Sequence, residues 1–81
     1  MTVTVYSKPS CVQCTATYRG LKNAGIEFTV VDMTVDEDAL EMVKALGHQA
    51  APVVVTDDDS WSGFNPGKIG ALKARLELVA A

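Results

Sequence analysis

The chain has little from which to build a metal centre, a covalent scaffold, a nucleic-acid surface or a membrane anchor. Among its 81 residues there are only two cysteines and one histidine. A structural zinc site takes four such ligands, so one chain cannot supply it, and no metal is expected. One bridge cannot make a disulfide-stapled scaffold either. Positive charge is scarce: seven Lys and Arg stand against ten Asp and Glu, a formal net charge of −3. A surface that neutralises phosphates needs the opposite balance, concentrated on one face. No apolar run approaches membrane-spanning length, and no cationic start leads into a hydrophobic export stretch. The expected setting is therefore cytoplasmic, with no nucleic acid and no membrane as partner. There is no internal repeat, linker or low-complexity segment, so residues 1–81 are expected to form one domain.

What is present is a folded-protein composition, with 48% hydrophobic residues against 21% charged, and stability limited by small size. The two cysteines are separated by two residues, Cys11-Val12-Gln13-Cys14. A bridge between them closes a loop too short to add much chain entropy, so its worth lies in chemistry. A Cys-x-x-Cys between a strand and a helix near the N-terminus reads as a thiol–disulfide redox centre.

Alternation over Thr2–Tyr6, with Val3 and Val5 on one face, predicts a first strand. Lys8-Pro9-Ser10 breaks it. Cys14, Tyr18 and Leu21 fall at helical steps within Cys11–Ala24, and Gly25 suits the left-handed residue that ends a helix. Ile26–Val31 is rich in β-branched residues and predicts a second strand, parallel to the first. Asp36–Leu46 predicts a second helix with Leu40, Val43 and Leu46 on one stripe, stopped by Gly47. Ala51-Pro52 leads into a short buried strand, Val53–Val55. Asp57-Asp58-Asp59 makes a solvated turn, without the spaced ligands of a calcium loop, into a fourth strand at Ser60–Ser62, antiparallel to the third. Asn65 and Pro66 are an N-cap and first-position pair for a last helix with Ile69, Leu72, Leu76 and Val79 buried. The order βαβ-α-ββ-α describes an α/β thioredoxin-like fold, a four-stranded mixed sheet flanked by three helices.

Only the thiolate attacks a disulfide. At the start of a helix, Cys11 meets backbone N–H groups and a dipole that favour negative charge, with Lys8 nearby. Cys14, one turn in, is expected to be buried. Cys11 is thus the expected attacking residue and Cys14 the one that resolves the mixed disulfide. In this fold the proline before the third strand is characteristically cis beside the dithiol, which turns the backbone of Ala51 toward a partner segment. His48 is expected at the surface, and Tyr6 and Tyr18 in packing.

Cys11-Val12-Gln13-Cys14 together with Trp61-Ser62-Gly63-Phe64-Asn65-Pro66, around an Ala-Pro-Val, resembles the NrdH-redoxins, small glutaredoxin-like proteins that behave like thioredoxins. The resemblance runs from the first strand to the last helix. It implies a monomeric, single redoxin domain that donates hydrogen to the large subunit of a class Ib ribonucleotide reductase. Re-reduction would come from thioredoxin reductase, with NADPH and FAD acting only through that partner and no cofactor bound beyond the reversible Cys11–Cys14 disulfide. Cys11 and Cys14 match the redox pair, Pro52 the cis-proline, and Trp61, Ser62, Gly63 and Phe64 the segment beside the active site. With Lys8, Val12, Gln13 and Ala51 these are the expected partner-contacting residues. The chain departs from glutaredoxins in carrying Val12-Gln13 for Pro-Tyr and Ala50-Ala51 for Thr-Val, and in lacking the acidic residue that grips glutathione. It departs from thioredoxins with Ser10 in place of tryptophan. It also departs from many NrdH-redoxins, which have a basic residue at the position of Asn65. The rival readings are a glutathione-linked glutaredoxin or general protein disulfide reductase and, from another class, a non-catalytic metal- or partner-binding module.

Overall fold

The computed structural model describes residues 2–80, with side chains through residue 78. Val79, expected in the last buried stripe, falls outside the described side chains. The chain runs β1 (Thr4–Ser7), α1 (Val12–Asn23), β2 (Thr29–Asp32), α2 (Glu37–Ala45), β3 (Val53–Val55), β4 (Ser60–Ser62) and α3 (Pro66–Ala80). The four strands form one sheet in the order β2-β1-β3-β4. β1 pairs parallel with β2 and β3 antiparallel with β4, as the sequence predicts, and β1 also pairs antiparallel with β3.

Register explains the core. Val5 lies opposite Val54, and Val54 opposite Trp61, so alternation turns all three to one face. Leu21 from α1 and Ile69 and Leu72 from α3 complete that cluster with Val3 and Ile26. Tyr18 and Phe28 stack at its edge, with ring centroids 5.8 Å apart. The other face belongs to α2. Ala39 and Val43 are buried outside the first cluster, and His48, just beyond α2, bonds Ser60 Oγ through Nε2 at 2.9 Å. Ser60 precedes Trp61 and points the opposite way. His48 is accordingly half-buried and tied to β4 rather than a loose surface residue.

Helices α1 and α2 end alike. Gly25 and Gly47 hold φ of +72° and +89°. In each case the glycine N–H and the next N–H fold back onto carbonyls of the last turn: Gly25 to Lys22 and Ile26 to Leu21, Gly47 to Lys44 and His48 to Val43. This closure moves two expected boundaries. Ile26 belongs to the end of α1 rather than to a strand, so β2 begins at Thr29. Leu46 is the C-cap of α2 and is 48% exposed, off the stripe expected to bury it. Asp36 and Asn65 cap their helices by accepting the N–H groups of Ala39 and Lys68, each at 3.0 Å. No helix among the described residues is long and apolar enough to cross a membrane.

Candidate redox site

β1 delivers the chain to Ser7, and Lys8–Ser10 turn it into α1. Ser10 sits at φ +57°, a left-handed conformation that costs a non-glycine residue on the order of 1 kcal/mol. The turn leaves Cys11 extended, at φ −106° and ψ 108°, as the N-cap of α1. Its Sγ accepts the backbone N–H of Cys14 at 3.1 Å, taking the place of the usual oxygen cap. Cys11 and Cys14 are joined in a disulfide, with Cα atoms 5.2 Å apart. Cys11 is partly exposed, whereas Cys14 is 2% exposed. Behind them Thr17, fully buried, donates its hydroxyl to the carbonyl of Gln13 at 2.8 Å, a local bond that lets a polar side chain enter the interior.

Two other segments reach this end of the sheet. The Ala51–Pro52 bond is cis, and since Val53 lies opposite Tyr6, Pro52 stands level with Ser7, where the dithiol loop begins. The Pro52 carbonyl accepts the N–H of Gly63 at 2.8 Å. The next N–H, that of Phe64, donates to Gln13 Oε1 at 3.1 Å. Gly63 is required here: its φ is +80°, and a Cβ on it would lie 3.2 Å from Gln13 Oε1. Thus the start of α1, the proline loop and the β4–α3 loop are tied together around the disulfide.

Of the residues expected to meet a partner, Val12 is 85% exposed and Phe64 42%. Lys8, Gln13 and Ser62 are exposed, and Ala51 and Gly63 are half-buried. Lys8 and Ala51 also line a cleft of about 400 Å³ with Leu40, Val43 and Lys44 of α2. Trp61 does not share this setting. It is 6% exposed within the core cluster, because its register against Val54 turns it inward, and its Nε1 finds no hydrogen-bond partner among the described residues. It shapes the site from behind. Pro52 is likewise buried, offering backbone rather than ring.

The sequence reading missed the Gln13–Phe64 contact, which joins positions 51 residues apart, and the pinning of the β3–β4 turn. Arg75 of α3 donates through Nη1 and Nη2 to Asp58 Oδ1 and Oδ2 at 2.7 and 2.6 Å. Lys68 reaches Asp59 Oδ2 at 2.9 Å. The hydrogen bonds from Arg75 and Lys68 hold the Asp58 and Asp59 carboxyls below the ordinary carboxylate range, and Asp58 raises Arg75 in return. Asp32 is lowered by the Thr34 hydroxyl and N–H, which it accepts. No cluster of three or more His, Cys, Asp or Glu suited to a metal occurs among the described residues.

A partly exposed cysteine at a helix start, bonded to a buried one, is an arrangement for exchanging a disulfide with an outside thiol. The comparisons agree. The glutaredoxin family model matches residues 3–61. The chain is 40% identical over 81 residues, 100% of both chains, to the glutaredoxin-like protein NrdH of Escherichia coli K12. It is 42% identical over 72 residues to that of Salmonella typhimurium, covering 89% of each. Among solved structures, the E. coli NrdH-redoxin, described as glutaredoxin-like with a thioredoxin-like activity profile, matches with a TM-score of 0.85 at 40% identity, over 89% of this chain and 95% of that one. The thioredoxin-like protein BC3987 matches with a TM-score of 0.78 at 25% identity, over 86% of this chain and 97% of that one.

Proposed function

This chain belongs to the glutaredoxin family, in its NrdH branch, and is a thiol–disulfide oxidoreductase; from that premise we propose that it donates hydrogen to a class Ib ribonucleotide reductase. It meets the large subunit as a single monomeric redoxin domain in the cytoplasm, and a thioredoxin reductase restores its dithiol. In the reduced protein the Cys11 thiolate attacks one sulfur of the partner's disulfide. The partner's S–S bond breaks, its second sulfur leaves as a thiolate and takes a proton, and Cys11 is held in a mixed disulfide. The Cys14 thiol gives up its proton and attacks the Cys11 sulfur. That breaks the mixed disulfide, releases the partner's remaining thiolate to be protonated, and leaves the Cys11–Cys14 disulfide. Two electrons from NADPH, passed through the reductase flavin, and two protons reopen it.

The observation that carries this division of labour is the asymmetry of the pair. Cys11 is the partly exposed N-cap whose Sγ accepts a backbone N–H, and Cys14 is 2% exposed. A developing thiolate at Cys11 inherits that N–H and the helix dipole. Exposed Val12 and Phe64, the carbonyl of Ala51, and Lys8 supply the surface on which a partner segment lies, while Ser62 and Gly63 shape its edge. The test is an NADPH-oxidation assay coupling thioredoxin reductase, this protein and a class Ib ribonucleotide reductase. Deoxyribonucleotide formation that depends on this chain supports the proposal. Reduction by the reductase without any transfer to the ribonucleotide reductase overturns the choice of acceptor.

A further inference from the structure

Gln13 stands between the two cysteines, yet its side chain is committed elsewhere. It is exposed, and an exposed glutamine ordinarily samples many rotamers, since fixing it costs side-chain entropy. Here two features meet at its Oε1, and a third holds the neighbouring loop in place. The Phe64 N–H donates to it at 3.1 Å. Gly63, at φ +80°, leaves open the space that a Cβ would fill at 3.2 Å. The Gly63 N–H is itself fixed on the Pro52 carbonyl at 2.8 Å. Because only an oxygen can accept the Phe64 N–H, the contact also orients the carboxamide.

What this clasp places is the Phe64 ring. One edge of the ring lies toward α1, since a Cβ on Gly20 would stand 3.5 Å from Phe64 Cε1. The rest is outward, at 42% exposure, and Val12, adjacent to Cys11, is 85% exposed. These two apolar side chains flank Gln13 in sequence and across the loop.

We infer that Gln13 is a positioning residue that holds Phe64 beside the dithiol, so that Phe64 and Val12 form an apolar border for protein disulfides flanked by apolar side chains. This rests on the reading of the chain as a reductant of protein partners. The clasp acts on docking, so its loss shows in KM for a protein disulfide more than in the rate toward a small one.

The test compares Gln13→Met, which keeps length and removes the acceptor, with wild type and with Phe64→Ala, alone and combined. Each is assayed with insulin as a protein disulfide and with the small aromatic disulfide DTNB as a reference that needs no docking border. Gln13→Met is expected to raise KM for insulin about three- to tenfold, the ordinary worth of one hydrogen bond, a larger change than in its rate toward DTNB. In the Phe64→Ala background the same substitution is expected to add nothing, because the ring it positions is gone. An unchanged KM, a loss confined to kcat, or a full additional loss on top of Phe64→Ala overturns the inference. Failure of wild type to reduce insulin while still reacting with DTNB would instead overturn the reading on which it rests.

Discussion

Cys11 Sγ accepts the backbone N–H of Cys14 at 3.1 Å, so one sulfur caps α1 and forms half of its disulfide. With Cys14 replaced by serine, nothing resolves the adduct on Cys11, and Cys14→Ser is expected to accumulate mixed disulfides with partners. Cys11→Ser should abolish reduction outright. Mass spectrometry of trapped complexes checks both; equal loss of activity with no adduct on Cys14→Ser would reverse or dissolve the assigned roles.

The route of reduction separates the NrdH-redoxin reading from a glutathione-linked one. The β4–α3 loop offers Ser62, Gly63, Phe64 and Asn65, with its Phe64 N–H already occupied by Gln13. Thioredoxin reductase with NADPH should reduce the protein faster than glutathione does, measured by stopped-flow Trp61 fluorescence or by NADPH consumption. Efficient reduction by glutathione alone would place the chain with glutathione-linked glutaredoxins.

Acid should loosen the β3–β4 turn. Asp58 and Asp59 have pKa values lowered in the folded protein by hydrogen bonds from Arg75 and Lys68. A carboxyl with a lowered folded pKa contributes stability above its unfolded value, near 4, and loses that contribution as pH falls through the folded one. Urea midpoints should therefore hold steady near neutrality and decline below about pH 4. Asp58→Asn should flatten that decline. Because both pairs are exposed at the surface, added salt should flatten it too. Identical acid slopes for wild type and Asp58→Asn would mean the Arg75 contact contributes nothing.

Asn65 stands where many NrdH-redoxins have a basic residue, and its Oδ1 accepts the Lys68 N–H at 3.0 Å. An arginine side chain has no acceptor. Asn65→Arg should therefore cost about 1 kcal/mol of stability, and Asn65→Asp should cost little. Urea denaturation measures both. Equal stability of Asn65→Arg and wild type would show that the cap is replaceable from elsewhere.

Elements whose cues are local were legible in the sequence. The dithiol at a helix start, the two glycine-terminated helices, the Asn65-Pro66 opening and the strand alternation at Val3 and Val5 each depend on neighbours within a few positions. Errors arose where a local pattern was overruled by a bond the pattern does not contain. Ile26 reads as strand, but its N–H closes α1 on Leu21. Leu46 keeps helical spacing, but the helix has already ended beneath it. Trp61 reads by motif as part of the partner-contacting segment and is core by register. The Gln13–Phe64 and Arg75–Asp58 contacts lie 51 and 17 positions apart, and nothing in either residue's surroundings announces its partner.

The dithiol hangs from β1, a strand gripped on both edges, by β2 on one side and β3 on the other. A mixed disulfide is a covalent leash between two tumbling proteins, and a tug on Cys11 passes back through Lys8–Ser10 into that strand as well as forward into α1. Force passed along that strand meets two ladders at once, where an edge strand would meet one.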